Sequence, residues 1–331
     1  MNSKTKTDVA KNTRKKRRLT RRQRNVITFY LFISPWLIGF LAFVLGPMLA
    51  SLGISFMWYD LFNAENTRWI GFANYQRMFT RDRYFFHTLR VTFMFALLSV
   101  PLGLIFSMFI AILLRNITKG VKIFRTIYYL PVVVSGIAVM VLWVYIFNPE
   151  IGLLNQALAL VGIEGPRWIH SAEGVFGLPG FLSYLDPSWA LFSLVLMGLW
   201  SVGNTVIIWL AGLAGISKEL YEASSIDGAN RVQQFFHMTV PALSPTIFFN
   251  LVMGIIGALQ VFNQAFVMTD GGPQNATLFY NFRLWQTAFT GQFDMGYASA
   301  LAWILFLIIM ALTALVFKSS AMWVHYESGE E

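Results

Sequence analysis

Six stretches of this chain contain no Asp, Glu, Lys or Arg: residues 26–59, 91–114, 126–148, 187–217, 240–269 and 295–317. Each is at least as long as the ~20 residues a helix needs to cross ~30 Å of hydrocarbon. A charge at the centre of such a helix costs roughly 2.5–3.5 kcal/mol, so charge-free runs of this length predict six membrane spans. Composition agrees, since only 12% of the 331 residues are charged, against about 25% in a soluble domain. The expected fold is all-α and polytopic. The first run is too long for the apolar core of a signal peptide and no small-residue cleavage site follows it, so it reads as a retained anchor.

Lys and Arg placement sets the orientation. With the N-terminus in the cytoplasm, the inner segments hold 18 of these residues and the outer segments 6, as the positive-inside rule requires. Both termini are then cytoplasmic in a multi-pass protein of the cell membrane. The outer stretch 60–86, with Arg68, Arg77, Arg81 and Arg83, is a mild dissent. Three parts follow: a basic tail at 1–25, a transmembrane domain at 26–320 and a short tail at 321–331. The run Arg14-Lys-Lys-Arg-Arg18 with Arg21, Arg22 and Arg24 reads as a topology determinant resting on anionic lipid headgroups rather than as a nucleic-acid site.

Several chemistries drop out. There is no cysteine, and the four histidines (His87, His170, His237, His325) lack metal-ligand spacing. No paired carboxylates or nucleophile–base set lie within the spans, so no catalytic residue and no metal site is expected. A Gly-rich phosphate loop followed by Lys-Ser/Thr is also missing, so no nucleotide cofactor is expected on this chain.

The most informative segment is the inner loop 217–241. Ser217 is placed to cap a helix whose first turns carry Glu219 and Glu222, where negative charge suits the helix dipole. Gly228 is placed to end that helix in a left-handed turn. A second helical pattern over 232–238 runs to Pro241, expected to open the fifth span. Periodicity alone leaves two readings: a hairpin lying on the headgroups, or a docking element whose small residues Ala223, Ser224 and Ala229 admit a partner backbone.

Glu222-Ala-Ser224, three residues, Gly228, nine residues, Met238, one residue, Val240-Pro241 resembles the EAA loop of binding-protein-dependent importer permeases. The departures from that family's pattern are conservative: Ser224 for alanine, Met238 for isoleucine and Val240 for leucine. Trp69-Ile-Gly-Phe-Ala-Asn-Tyr75, Tyr129-Leu-Pro131, Phe147-Asn-Pro149, Asp270-Gly-Gly-Pro273 and Met295-Gly-Tyr-Ala-Ser-Ala300 are similar to motifs of its carbohydrate-type branch, the maltose and glycerol-3-phosphate permeases. The resemblance covers about residues 26–325 and implies a type I ABC importer permease fold. It implies coupling to a cytoplasmic ATPase dimer through Glu222, Ala223, Ser224, Asp227, Gly228 and Pro241, with ATP and Mg on that partner. It further implies a second related permease and an extracytoplasmic solute-binding protein.

Polar residues inside spans mark candidate solute paths. Span 4 offers Trp200, Ser201, Asn204 and Thr205. Span 5 offers Asn250, Gly254, Gly257 and Gln264 on one helical face, with Gln260 and Asn263 close by. The competing reading is helix–helix packing, for which small residues and amides are common. Carried over from the resemblance, the path residues are Trp200, Ser201, Thr205, Gly257 and Gln260. These spans hold no cation for a phosphate or carboxylate, while amides, hydroxyls and an indole suit an uncharged sugar. The expected function is therefore the permease subunit of an ATP-driven sugar importer. The alternative is a secondary transporter, which would ordinarily show intramembrane acids or bases and internal repeats.

Overall fold

The computed structural model describes residues 20–59, 64–116, 120–290 and 293–325. The run Arg14–Arg18, Lys119 and the last six residues lie outside them. Helix α1 (Arg21–Ser55) starts at a reciprocal cap, in which Thr20 Oγ1 accepts from the Gln23 amide and Gln23 Oε1 accepts from the Thr20 amide. It carries Pro35 and a wide turn at Leu41–Leu45, where the Gly46 amide bonds to Leu41 O just before Pro47. Widening of this kind relieves the clash and missing donor of a helical proline. The described residues up to Gly53 form a unit of their own, none of whose helical side chains is buried.

The second unit, Ile54–Glu331, begins with a short antiparallel pair, β1 (Met57–Trp58) and β2 (Arg68–Trp69), with Met57 opposite Trp69. Next come α2 (Ala73–Thr80) and the 32-residue α3 (Phe85–Asn116), the spine of the unit. Helices α4 (Val121–Val133) and α5 (Gly136–Ile146) form a span interrupted at Val134–Ser135. After α6 (Leu153–Leu160), α7 (Trp189–Trp200) and α8 (Gly203–Gly215) form a span bent by 50°. Short α9 (Lys218–Ile226) leads to α10 (Arg231–Ala242) and α11 (Ser244–Leu259), which are bent by 67° relative to each other. The unit closes with α12 (Tyr280–Phe289) and α13 (Met295–Ser320). Three helices (α1, α3 and α13) and three bent pairs are thus long and apolar enough to cross a membrane.

Helices α7, α8, α11 and α12 all pack on α3, and three apolar clusters lie along it. Met78, Phe85, Tyr280 and Tyr297 meet at its N-terminal end, Phe95 and Val100 with Leu194 and Ala258 near its middle, and Leu114 with Trp209, Leu213 and Leu243 at its C-terminal end. Outward faces remain apolar, and only 22% of the most apolar stretch of α3 is buried. Such a surface is stable against acyl chains and not against water.

One expectation needs correcting. Pro241 does not open the fifth span. It lies inside α10, and the direction changes at Leu243, so that Pro245 falls in the first turn of α11. A wide turn at Phe235–Thr239, in which the Val240 amide bonds to Phe235 O, lets the helix run past an imino residue that cannot donate.

Candidate functional site

Two polar places stand out in this apolar bundle. The first is the turn between α9 and α10. Ser217 caps α9, its Oγ accepting from the Leu220 amide at 3.4 Å. Gly228 has φ +83°, the left-handed conformation a side chain resists. The Gly228 amide bonds to Ser225 O at 3.2 Å and the Ala229 amide to Ser224 O at 2.9 Å, the paired closure of a Schellman turn. Asn230 then starts α10, its Oδ1 accepting from the Val232 and Gln233 amides while Gln233 Oε1 accepts from the Asn230 amide. Gln234 Nε2 reaches back to Ser224 Oγ at 3.1 Å and Ser225 Oγ at 2.9 Å. Ser224, a departure from alanine in the EAA pattern, thus joins the two helices. Glu222, Ala223, Asp227 and Gly228 are exposed, and Ile226 is 87% exposed.

The second place is a cavity of about 550 Å³ midway along the bundle. Ser99 and Gly103 of α3, Ser201 and Thr205 at the bend between α7 and α8, Asn250, Gly254 and Gly257 of α11, and Gln264 contribute to its wall. Among the described residues no Asp, Glu, Lys, Arg or His lines it. The bend supplies both the space and the polarity, because an interrupted helix frees backbone groups that only a cavity or another protein group can satisfy inside a bilayer. Asn250 is 5% exposed, and its Nδ2 and Ser99 Oγ are buried without a hydrogen-bond partner among the described residues. A buried polar atom left unpaired costs ~1–3 kcal/mol, so two on one cavity wall mark a place built to receive polar groups. The glycines differ in role. A Cβ at Gly254 would meet Val100 Cγ1 at 3.2 Å, so that glycine serves helix packing, whereas nothing lies within 4 Å of a Cβ at Gly257, which faces open space.

Of the path residues expected from sequence, Ser201, Thr205 and Gly257 come together on this wall. Trp200, Asn204, Gln260 and Asn263 are exposed and do not line it. Trp200 packs edge-on against Trp143, with centroids 6.2 Å apart, and Gln260 O accepts from Asn281 Nδ2 at 3.2 Å. Sequence reasoning missed Ser99, one of four hydroxyl residues (with Thr88, Thr92 and Ser107) in a long apolar helix and not marked out from the others by its neighbours. It also missed Gln234, whose bonds to two serines require knowing how the hairpin folds back.

At the opposite end of the bundle from the hairpin, charged groups lock α2 to α13. Arg77 Nη1 donates to Asp294 Oδ2 at 2.6 Å and lies over the Tyr297 ring, whose hydroxyl donates to Asp82 at 2.7 Å. Nearby, burial pushes the Tyr280 hydroxyl far above the ordinary phenol range. It stays protonated and donates to Leu301 O at 2.9 Å.

Residues 99–324 match the family described as binding-protein-dependent transport system inner membrane component. The Bacillus subtilis protein named "Probable ABC transporter permease protein YesP" is 46% identical over 305 residues, covering 91% of this chain and 93% of that protein. The sn-glycerol-3-phosphate transport system permease protein UgpA of Yersinia pestis is 30% identical over 300 residues, covering 90% and 95%. Among solved structures, a chain of a bacterial alginate ABC transporter, crystallised with its alginate pentasaccharide-bound periplasmic protein, superposes with a TM-score of 0.73 at 22% identity. The match covers 90% of this chain and 95% of that one.

Proposed function

This chain belongs to the inner-membrane components of binding-protein-dependent transport systems, and on that premise we propose that it passes an uncharged carbohydrate through the cavity between α3, the α7–α8 bend and α11. It is the permease subunit of an ABC importer and not an enzyme; ATP hydrolysis belongs to a separate subunit. The secondary-transporter alternative is not favoured.

The observation that carries the proposal is a mid-bundle cavity that is polar yet free of charged side chains. UgpA and the alginate transporter bear names that speak of acidic cargo, sn-glycerol-3-phosphate and alginate. An anion held inside a bundle calls for Arg or Lys nearby. Hydroxyls and amides such as Ser99, Ser201, Thr205 and Asn250 suit sugar hydroxyls instead, with the exposed Trp200 ring available to cover an apolar sugar face. Asn204, Gln260 and Asn263 lie on exposed surface and belong to the path where a second, related permease faces this one.

Coupling runs through the α9–α10 hairpin. Its exposed Ile226, Val232 and Phe236 beside Glu222 and Asp227 offer an apolar knob with a charged rim to a cleft on a cytoplasmic ATPase dimer, which holds ATP and Mg. Interface cores favour this arrangement. Docking there makes the hairpin end of the bundle cytoplasmic, and the Lys and Arg count assigns both termini to the cytoplasm as well. The opposite end then meets the solute-binding protein.

Uptake by the importer, reconstituted with its binding protein and ATPase, tests the substrate class. Neutral oligosaccharides should be taken up and uronate-containing ones should not. Preferential uptake of an acidic oligosaccharide would show that a partner subunit supplies the charge and would overturn the proposal.

A further inference from the structure

A second polar cavity, about 710 Å³, lies between the hairpin and the bundle and has no role in the path described above. Its wall carries two guanidinium groups, Arg115 from the last turn of α3 and Arg231 from the first turn of α10, with Tyr221, Gln234 and Thr239. Ile112, Leu213 and Phe235 close its bundle side, and no carboxylate lines it among the described residues. Among the described residues neither arginine has an acidic partner within ion-pair distance. Arg115 is nevertheless held in place. Its guanidinium lies 5.3 Å from the Tyr221 ring centre and donates to the Tyr221 hydroxyl at 3.4 Å, and that hydroxyl bonds to Thr239 Oγ1 at 2.8 Å.

Two guanidinium groups on one wall, Arg115 held by Tyr221 and Arg231 exposed and without an acidic partner among the described residues, make with the hydroxyls beside them an anion site, and the planar fork of Arg fits phosphate oxygens two at a time. The location chooses the anion. The cavity sits where the apolar lengths of α3 and α8 end, which for a helix spanning ~30 Å of hydrocarbon is the level of the headgroups, and its apolar wall suits a glycerol backbone. Basic pockets between spans on the inner face take anionic headgroups for these reasons. Tyr221 is half-buried and packs on the apolar cluster around Leu114 and Leu213. The cavity therefore lies behind the hairpin, away from the exposed Glu222 and Ile226.

We propose that this cavity binds the phosphodiester of an anionic phospholipid between Arg115 and Arg231, and that the bound headgroup braces α9 against the bundle through Tyr221. The proposed orientation decides only which leaflet supplies the lipid. Importer activity would then depend on anionic lipid at the joint between hairpin and bundle.

The test uses the assembled importer in nanodiscs of phosphatidylcholine alone, or with one part in five phosphatidylglycerol. Native mass spectrometry counts retained phosphatidylglycerol, and ATPase stimulation by loaded binding protein is read in parallel. Arg115→Gln with Arg231→Gln should weaken retention about thirtyfold, taking about 1 kcal/mol per basic residue at the surface. Arg115→Lys with Arg231→Lys, which keeps the charge without the planar fork, should restore part of it, which separates loss of charge from misfolding. Wild-type retention in the Gln pair would overturn the site. Restoration of stimulation in phosphatidylcholine discs by inorganic phosphate alone would assign the cavity to a free anion and overturn the lipid. Loss of the ATPase subunit from the Gln pair with retention unchanged would assign the arginines to protein docking. Because retention is counted without transport, failure here leaves the proposed permease function untouched.

Discussion

The hairpin and the mid-bundle cavity are both polar intrusions into an apolar bundle, yet they are built in opposite ways. In the hairpin, the Schellman closure, both caps and the Gln234 bonds to Ser224 and Ser225 join residues at most ten apart. Its polar groups satisfy one another. In the cavity, Ser99, Thr205 and Asn250 come from three helices far apart in the chain, and two of the buried polar atoms have no partner among the described residues. A lever must keep its shape while it is pushed, whereas a transport site must hold polar groups in reserve for a passing solute.

The largest effect expected to break this contrast is at the turn. Gly228→Trp forces a bulky side chain to φ +83°, a conformation costing roughly 1–2 kcal/mol per L-residue, on the surface proposed to meet the ATPase. Transport should vanish and the ATPase should no longer copurify, while circular dichroism keeps its helical signal. Normal copurification would strip the turn of its coupling role.

A smaller and more diagnostic effect is expected in the cavity. Asn250→Leu removes a buried, unpaired amide, so thermal stability should rise by about 1 kcal/mol while KM for uptake rises by about tenfold, the worth of one lost hydrogen bond to a solute. A loss of stability with unchanged KM would make Asn250 a packing residue. Smallest of all, Ser217→Ala should cost about 0.5 kcal/mol, the low end for a helix cap, since its bond to Leu220 is a long 3.4 Å. A small melting shift with near-normal uptake would support a hairpin held by many separate bonds. Collapse of coupling would show instead that its start is the weak point.

The same contrast explains what could be read from the chain alone. The α9 cap at Ser217 and the left-handed stop at Gly228 were legible because capping and chirality act within a few residues. The stripe Asn250, Gly254, Gly257 was legible because the helical period places those positions on one face. The bend at Leu243 was not. Pro241 looked like a helix start, but the wide turn at Phe235–Thr239 carries the helix past it, and no local pattern announces that. Trp200 and Ser201 are neighbours in the chain, yet the bend between α7 and α8 leaves the tryptophan exposed while the serine lines the cavity. Arg115 and Arg231 are separated by the whole of the third and fourth spans, so nothing in their sequence context joins them.

Sequence by itself determined the number of spans and the hairpin motif, because a charge in hydrocarbon is expensive wherever the chain goes and a helix cap is made by its own neighbours. Tertiary structure alone decided which polar side chains share a wall and which arginines face one cavity. Those pairings depend on where the α7–α8 and α10–α11 spans bend and on how α7, α8 and α11 pack on α3.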